Sequence, residues 1–174
     1  MAAVLGDSIE QQQKKLFKKV ERGEDIENIN NYKEISMTST SGRTLLHVAV
    51  IAGNLENVEK LVKEGKDKLV NMQDNRGDTA LALVARYTGN TDIAKCMIEK
   101  KMGFRENLLE TKNKDNVIPI LLAAANGHKE LTTYLYYRTP PKVFDGDSQN
   151  RILLLSLCIT AEIFGKQKFR MLIK

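Results

Sequence analysis

The segment GRTLLHVAVIAG occupies residues 42–53, and its pattern returns as GDTALALVARYTG at residues 77–89 and as NVIPILLAAANG at residues 116–127. The third position of the pattern recurs at spacings of 35 and 39 residues, and each segment is followed by a second amphipathic stretch. Self-similarity at about 30 to 40 residues is typical of stacked structural repeats, because one small unit cannot bury its apolar face alone. The repeat therefore predicts a surface that binds partners and argues against a catalytic pocket.

Composition supports a single soluble unit whose positive charge is concentrated at one end. The chain has 174 residues, 42% of them apolar, and a net charge of +5, of which four positive charges fall in residues 166–174. The longest apolar run, residues 152–159, is broken by Ser156 and is far shorter than the roughly 20 residues that span a bilayer. Two cysteines do not make a disulfide framework, and the N-terminus lacks a secretory pattern. These features predict a cytoplasmic protein.

Each unit carries its own start and stop signals for a short helix. Gly42 lies where a tight turn requires a positive φ, and Thr44 is a good N-cap for the helix that follows. Gly53 then ends that helix as a C-cap. Apolar residues at helical spacing continue the pattern in both halves of each unit. The predicted helices cover residues 46–52, 56–63, 80–87, 91–100, 119–125 and 129–137.

This pattern resembles the ankyrin repeat, D-x-x-G-x-T-P-L-H-x-A-A-x-x-G-H-x-E. The matching residues are Gly42, Thr44, Leu46, His47, Ala49, Gly53 and Glu56; Asp74, Gly77, Thr79, Leu81, Ala85 and Gly89; and Pro119, Ala123, Ala124, Gly127, His128 and Glu130. The resemblance implies an all-α solenoid of stacked helix-turn-helix units with short hairpin tips. In that family such histidines form hydrogen bonds with neighbouring turns.

The same comparison divides the chain into segments. We expect a disordered N-terminus at 1–13, a degenerate capping repeat at 14–38, three ankyrin repeats at 39–138, a linker at 139–149, an incomplete terminal repeat at 150–164 and a basic tail at 165–174. The incomplete repeat leaves Leu154, Leu155 and Leu157 without their usual outer helix. We therefore expect either a monomer or weak self-association through this end.

A narrower resemblance concerns plant proteins. The phrases GRTLLHVAVIAGN, GDTALALVARYTGN and LLSLCITAEIF resemble plant ankyrin-repeat proteins of the accelerated-cell-death type, which carry a C-terminal membrane-spanning PGG domain. This chain is expected to be truncated before that domain. The resemblance implies a role in defence or stress signalling and adds the cytoplasmic face of the plasma membrane as a possible location.

Residues that could carry catalysis or bind a cofactor do not form a recognisable pattern. His47 and His128 are the only histidines, and no C-x₂-C or H-x₃-H spacing indicates a metal site. Neither cysteine has a predicted base beside it, and no phosphate-binding glycine motif is present. The sequence predicts no catalytic, cofactor-binding or metal-binding residues, so the chain is interpreted as a non-enzymatic interaction module.

The candidate binding residues come from the hairpin tips and the exposed ends of the inner helices, where the family resemblance places partners. This interaction face comprises Arg43, Asn75, Arg76, Asp78, Arg86, Tyr87, Lys114 and Asp115. Arginine and tyrosine dominate binding hot spots, which makes Arg76, Arg86 and Tyr87 the anchor candidates. The alternative for each is an ordinary surface residue.

A second functional hypothesis rests on the basic tail. Its four charges and Phe169 could contact anionic lipid or nucleic acid, making the chain a peripheral adaptor. A solvated end explains the same charges, so the sequence favours a protein partner, with no nucleic acid and at most weak contact with a membrane surface.

Overall fold

The computed structural model describes residues 2–26, 35–99, 105–145 and 148–163, which form a row of short helices. The helices are α1 Ala2–Glu21, α2 Leu45–Ala52, α3 Leu55–Val70, α4 Ala80–Leu83, α5 Thr91–Ile98, α6 Glu106–Glu110, α7 Pro119–Ala125, α8 Lys129–Arg138, α9 Lys142–Asp145 and α10 Ser148–Thr160. The inner helices α1, α2, α4, α7 and α10 contact one another in that order, and the outer helices α3, α5 and α8 form a parallel row. The predicted all-α solenoid is confirmed.

The core is a continuous apolar seam between the two rows. The side chains of Leu45, Leu46 and Leu61 in the first unit, and of Leu81, Ile93 and Met97 in the second, are at most 1% exposed. Burying a side chain of this size contributes about 1.5–3 kcal/mol. This apolar core lies between neighbouring units. Each unit is therefore stabilised by its neighbours and could not bury these side chains alone.

The three glycines that close the inner helices are equivalent, as predicted. Gly53, Gly89 and Gly127 have φ of 72°, 62° and 70°, a left-handed conformation that costs glycine little. The helix starts also follow the sequence. The hydroxyl oxygens of Thr44 and Thr79 accept backbone N–H groups, whereas Ile118 provides no side-chain cap.

One inner helix contains an extra residue, and the structure accommodates it as a wider turn. The spacing from Thr79 to Gly89 is one residue longer than from Thr44 to Gly53. After α4 the chain continues as a π-helical turn over Val84–Thr88, closed by a 2.8 Å hydrogen bond from Gly89 N to Val84 O. Such insertions inside helices are frequent at functional sites.

The N-terminal unit differs from the sequence expectation. Residues 1–13 were expected to be disordered, but α1 begins at Ala2, because its glutamine and lysine residues favour a helix. Asn57, which is fully buried, fastens this unit to the next one. Its side chain donates to Glu24 O at 2.9 Å and accepts from Ile26 N at 3.0 Å. Residues 27–34 of the expected capping repeat lie outside the described residues.

The C-terminal end also differs in detail. The expected linker contains the short helix α9, and the incomplete repeat begins as α10 at Ser148. Leu154 was expected to lack cover, but it packs against the third unit and is 1% exposed, while Leu155 and Leu157 are half-buried. The exposed apolar residues are instead Ile152, Leu153 and Ile159. The basic tail lies outside the described residues.

The segment from Gly89 to Ile118 is longer than the equivalent segment from Gly53 to Thr79. The extra residues belong to the outer half of the second unit. Arg105 follows the undescribed residues 100–104, and its side chain is 9% exposed. It donates to the Asp67 carboxylate at 2.7 Å and to Met97 O at 2.6 Å. A buried arginine with two such partners links the outer helices of adjacent units.

Candidate functional site

The three hairpin tips share one backbone design. We call residues 39–43 tip 1, residues 74–78 tip 2 and residues 113–117 tip 3. In tip 2 the Asp74 carboxylate accepts the backbone N–H groups of residues 76 and 78, and in tip 3 the Asn113 side chain does the same for residues 115 and 117. These side chains hold the tips without help from a partner.

Adjacent tips are hydrogen-bonded to each other. Asn75 N donates to Ser41 O and Lys114 N donates to Arg76 O, both at 3.0 Å. The side-chain amide of Asn75 also donates to Thr40 O at 3.0 Å. These bonds require close approach, and a Cβ at Gly77 would collide with the backbone of Lys114. The tips therefore form one preorganised edge.

His47 joins the first inner helix to tip 2, in agreement with the predicted role of the histidines. Its Nδ1 accepts the backbone N–H of Thr44 at 3.1 Å, which places the ring proton on Nε2. Nε2 then donates to Asp78 O at 3.2 Å. Burial lowers the pKa of His47, with the Arg43 charge acting in the same direction and the Asp74 charge opposing it.

A measurable acid sensitivity follows from the lowered pKa of His47. The unfolded chain takes up a proton at His47 near pH 6.5, whereas the folded chain does so only at lower pH. The His47 contribution to stability is therefore complete above about pH 6.5 and is lost as the pH falls below it. We expect urea unfolding of the His47→Gln variant to depend less on pH between about pH 7 and pH 5 than that of the wild type. Equal acid slopes in the two proteins would contradict this role.

His128 does not follow the predicted pattern. Its ring packs so closely against Gly89 that a Cβ at that glycine would collide with it. Its Nε2 atom is buried and forms no hydrogen bond with any described residue. The family resemblance predicted a histidine bonded to a turn, but Leu121 and not histidine occupies the position equivalent to His47.

Asp78 belongs to the predicted interaction face, but the structure buries it completely. Its carboxylate accepts from Arg86 Nε at 3.1 Å and from the Asn113 amide at 2.8 Å, and it forms an ion pair with the Arg86 guanidinium at 3.0 Å. Arg86 is consequently half-buried, with 20% of its side chain exposed. Asp78 cannot contact a partner; it ties the inner helix and tip 3 to tip 2.

The other predicted residues remain accessible. Asn75, Arg76, Lys114 and Asp115 are exposed on tips 2 and 3, and Tyr87 has 47% of its surface exposed. Arg43 is half-buried on tip 1 and pairs with Asp74 across 3.5 Å. The structure thus brings Arg43, Asn75, Arg76 and Lys114 onto one edge. Tyr87 follows Arg86, whose side chain reaches the same edge.

Three polar residues that hold the tips or the units together were missed from the sequence: Asp74 and Asn113 in the tips, and Asn57 on the outer helix α3. Asp74 matched the repeat pattern, but only the hydrogen bonds of its carboxylate in the structure show that it holds the turn. Asn113 occupies the equivalent position, and the Asx-turn preference of asparagine is the sequence signal that could have identified it. Asn57 had no such signal, because its two partners lie 33 and 31 residues away.

Two grooves border the edge at its ends. The first, with a volume of about 500 Å³, lies between α1 and tip 1. The second, with a volume of about 570 Å³, lies between tip 3 and the N-terminal half of α10, where Ile152 and Leu153 line it. Both volumes are in the range that receives small ligands or side chains.

Both cysteines are protonated, and the described residues contain neither a cluster suited to a metal ion nor a helix suited to a bilayer. Burial raises the pKa of Cys96 and of Cys158 to about 11, so both are thiols at neutral pH. Within the described ranges, no group of three or more histidine, cysteine or acidic side chains is arranged to hold a metal ion. None of the described helices has both the length and the apolar character needed to cross a bilayer.

Comparison with known proteins places the repeat region in a defined group. A family model described as "Ankyrin repeats (3 copies)" matches residues 46–150, more than half of the chain. The chain is also 37% identical over 76 residues to the Notch-regulated ankyrin repeat-containing proteins of Xenopus tropicalis and Xenopus laevis. The match covers 43% of this chain and 64% of each relative, so the chain spans less than two thirds of these curated relatives.

Proposed function

Because the chain belongs to the ankyrin-repeat family, we propose that it is a non-enzymatic module that binds another protein through its hairpin tips and inner-helix ends. Ankyrin repeats generally mediate protein–protein interaction. The bound partner would contact Arg43, Asn75, Arg76, Tyr87, Lys114 and Asp115. Asp78 and most of Arg86 would act indirectly, by holding these residues in place.

The exposure of the Tyr87 side chain is the observation that carries this proposal. A large aromatic side chain with 47% of its surface exposed stands in the π-helical turn of the central unit. The extra residue that creates this turn alters the inner helix at the end where the family resemblance implies partner contacts. Tyrosine and arginine are both enriched at binding hot spots. Tyrosine in addition buries a large area at a low entropic cost.

We further propose a setting in plant defence or stress signalling, in the cytoplasm or at the cytoplasmic face of the plasma membrane. The support is the resemblance of the repeat phrases and of LLSLCITAEIF to plant ankyrin proteins with a PGG domain. The printed name of the Xenopus relatives refers to regulation by Notch, and the shared 76 residues support the common repeat scaffold.

The experiment compares two sets of substitutions in a quantitative pull-down from plant extract. We expect Arg76→Ala combined with Tyr87→Ala to weaken capture of the natural partner by about 2 kcal/mol, or roughly 30-fold. Neutralising Lys166, Lys168, Arg170 and Lys174 is the control, and it should leave capture unchanged. If only the tail substitutions abolish capture, the peripheral adaptor hypothesis replaces this one. If both sets of variants still capture the partner, neither the interaction face nor the basic tail is the binding surface.

A further inference from the structure

The row of hydrogen-bonded tips has an open end at tip 3. In tips 1 and 2 the carbonyl of the third tip residue accepts a backbone N–H of the next tip. Ser41 O accepts from Asn75 N in this way, at 3.0 Å. Arg76 O accepts from Lys114 N at the same distance. The third residue of tip 3 is Asp115, and its carbonyl oxygen accepts no hydrogen bond from any described residue.

The next position of tip 3 also departs from the design of the other two tips. The equivalent residues are Gly42 and Gly77, and a Cβ at Gly77 would lie only 2.8 Å from Lys114 N. Tip 3 has Asn116 here, in a left-handed conformation with φ of 63°. Asn116 is exposed, and its carboxamide forms no hydrogen bond within the described part of the chain. Because a carboxamide both donates and accepts, it can pair with a peptide backbone.

This open end borders the groove between tip 3 and α10, which we call the C-terminal groove. Asp115, Asn116 and Val117 line one side of it, and the N-terminal half of α10 lines the other. On α10, the side chains of Ile152 and Leu153 are 63% and 44% exposed. A volume of about 570 Å³ can receive a few side chains. The groove therefore sets hydrogen-bonding groups of a tip opposite an apolar helix face.

An occupant that satisfies both sides must supply a backbone donor and an apolar side chain. An extended peptide does so, because its side chains alternate in direction while its N–H groups remain available to a neighbouring edge. The phosphates of nucleic acid are acceptors and cannot donate to Asp115 O. A second copy related by two-fold symmetry would present the same acceptor and not the donor. An extended peptide continues the tip-to-tip hydrogen bonds by one more segment.

We propose that the C-terminal groove binds an extended segment of a partner protein. One backbone N–H of this segment donates to Asp115 O, and an apolar side chain packs against Ile152 and Leu153. The carboxamide of Asn116 pairs with the same backbone. The segment joins the tips as a strand joins an open sheet edge. This inference rests on the proposed function and adds a contact at the end of the interaction face to which Asp115 belongs.

The first test selects peptides of about 12 residues from a random library displayed on phage, with the full chain as bait. Fluorescence anisotropy then measures the affinity of each selected peptide. We expect a class of peptides whose affinity falls at least tenfold with Ile152→Asp. The matched control, Ile159→Asp, places the same charge on the same face of α10 outside the groove and should change affinity less than twofold. Ile152 and Ile159 are 63% and 58% exposed, so circular dichroism should be unchanged in both variants.

The second test addresses the backbone contact. Methylating the peptide nitrogens one at a time removes one donor in each case, and we expect one position at which affinity falls at least tenfold. Asn116→Gly retains the left-handed turn and removes the carboxamide, so it should weaken the same peptides about fivefold.

If no selected peptide distinguishes Ile152→Asp from Ile159→Asp, the proposal is wrong. Groove-dependent peptides that tolerate methylation at every nitrogen would also overturn it, since they would bind without a backbone donor. Self-association that is lost in Ile152→Asp, with no such peptide selected, would assign the groove to a second copy.

The outcomes also separate this inference from the proposed function. Absence of groove-dependent peptides, with partner capture still dependent on Arg76 and Tyr87, would remove the inference and leave the proposed function. Groove-dependent peptides with capture independent of those two residues would do the reverse.

Discussion

Replacing Asp78 with alanine is expected to lower the free energy of unfolding by about 3 kcal/mol, because the buried carboxylate has several charged and polar partners. The substitution leaves the Asn113 amide without its 2.8 Å acceptor and the Arg86 guanidinium without its counter-ion. Arg86 is partly exposed and can turn towards water, which keeps the loss at the lower end of the range for a broken buried pair. Urea unfolding followed by far-ultraviolet circular dichroism measures the effect.

Two variants separate this network from a general charge effect. Asp115→Ala removes one exposed carboxylate from tip 3 and should change stability by less than about 0.5 kcal/mol. Asp78→Asn keeps the shape and one acceptor oxygen, so it should fall between the wild type and Asp78→Ala. If Asp78→Ala is as stable as Asp115→Ala, the buried position of Asp78 is refuted.

The second large effect concerns the C-terminal helix. Leu154→Asp should destabilise the packing of α10 on α7 by about 4 kcal/mol, because it removes a buried leucine and places a carboxylate in an apolar site. Leu154 is 1% exposed and lies near the buried Cys158. Among the described elements α10 packs mainly on α7 and α9. The loss should therefore appear first as faster hydrogen exchange in α10, before the central units are affected.

Ile152→Asp is the matched control on the same helix. Ile152 is 63% exposed, so the same new charge reaches water and should change stability by less than about 0.5 kcal/mol. The sequence predicts either a monomer or weak self-association through this end, and we propose that the exposed side chains of Ile152, Leu153 and Ile159 form the contact in the second case. Sedimentation should show less association for Ile152→Asp than for the wild type. Equal hydrogen exchange in α10 for Leu154→Asp and Ile152→Asp would show that α10 is not docked.

The repeat architecture was predictable because its determinants are local. A threonine cap, helical apolar spacing and a closing glycine act within about ten residues, so their signals can be read along the chain. Gly53, Gly89 and Gly127 therefore identified equivalent helix ends, and the helix boundaries agree within one residue for α2, α4 with its π-helical turn, α7 and α8. The extra residue before Gly89 was also visible in the sequence. The wider π-helical turn that accommodates it was not predicted.

The sequence by itself thus determined the helical units, their number and the positions of their tips. Only the tertiary structure decided which side chains on those tips are available to a partner. Arg76 and Asp78 lie two residues apart in one tip, yet Arg76 is exposed and Asp78 is fully buried, because Arg86 and Asn113 reach Asp78 from other elements. Leu154 is covered and Ile152 exposed for a similar reason, since α7 contacts only one face of α10. Burial depends on what distant segments place alongside a residue, and no local pattern contains that information.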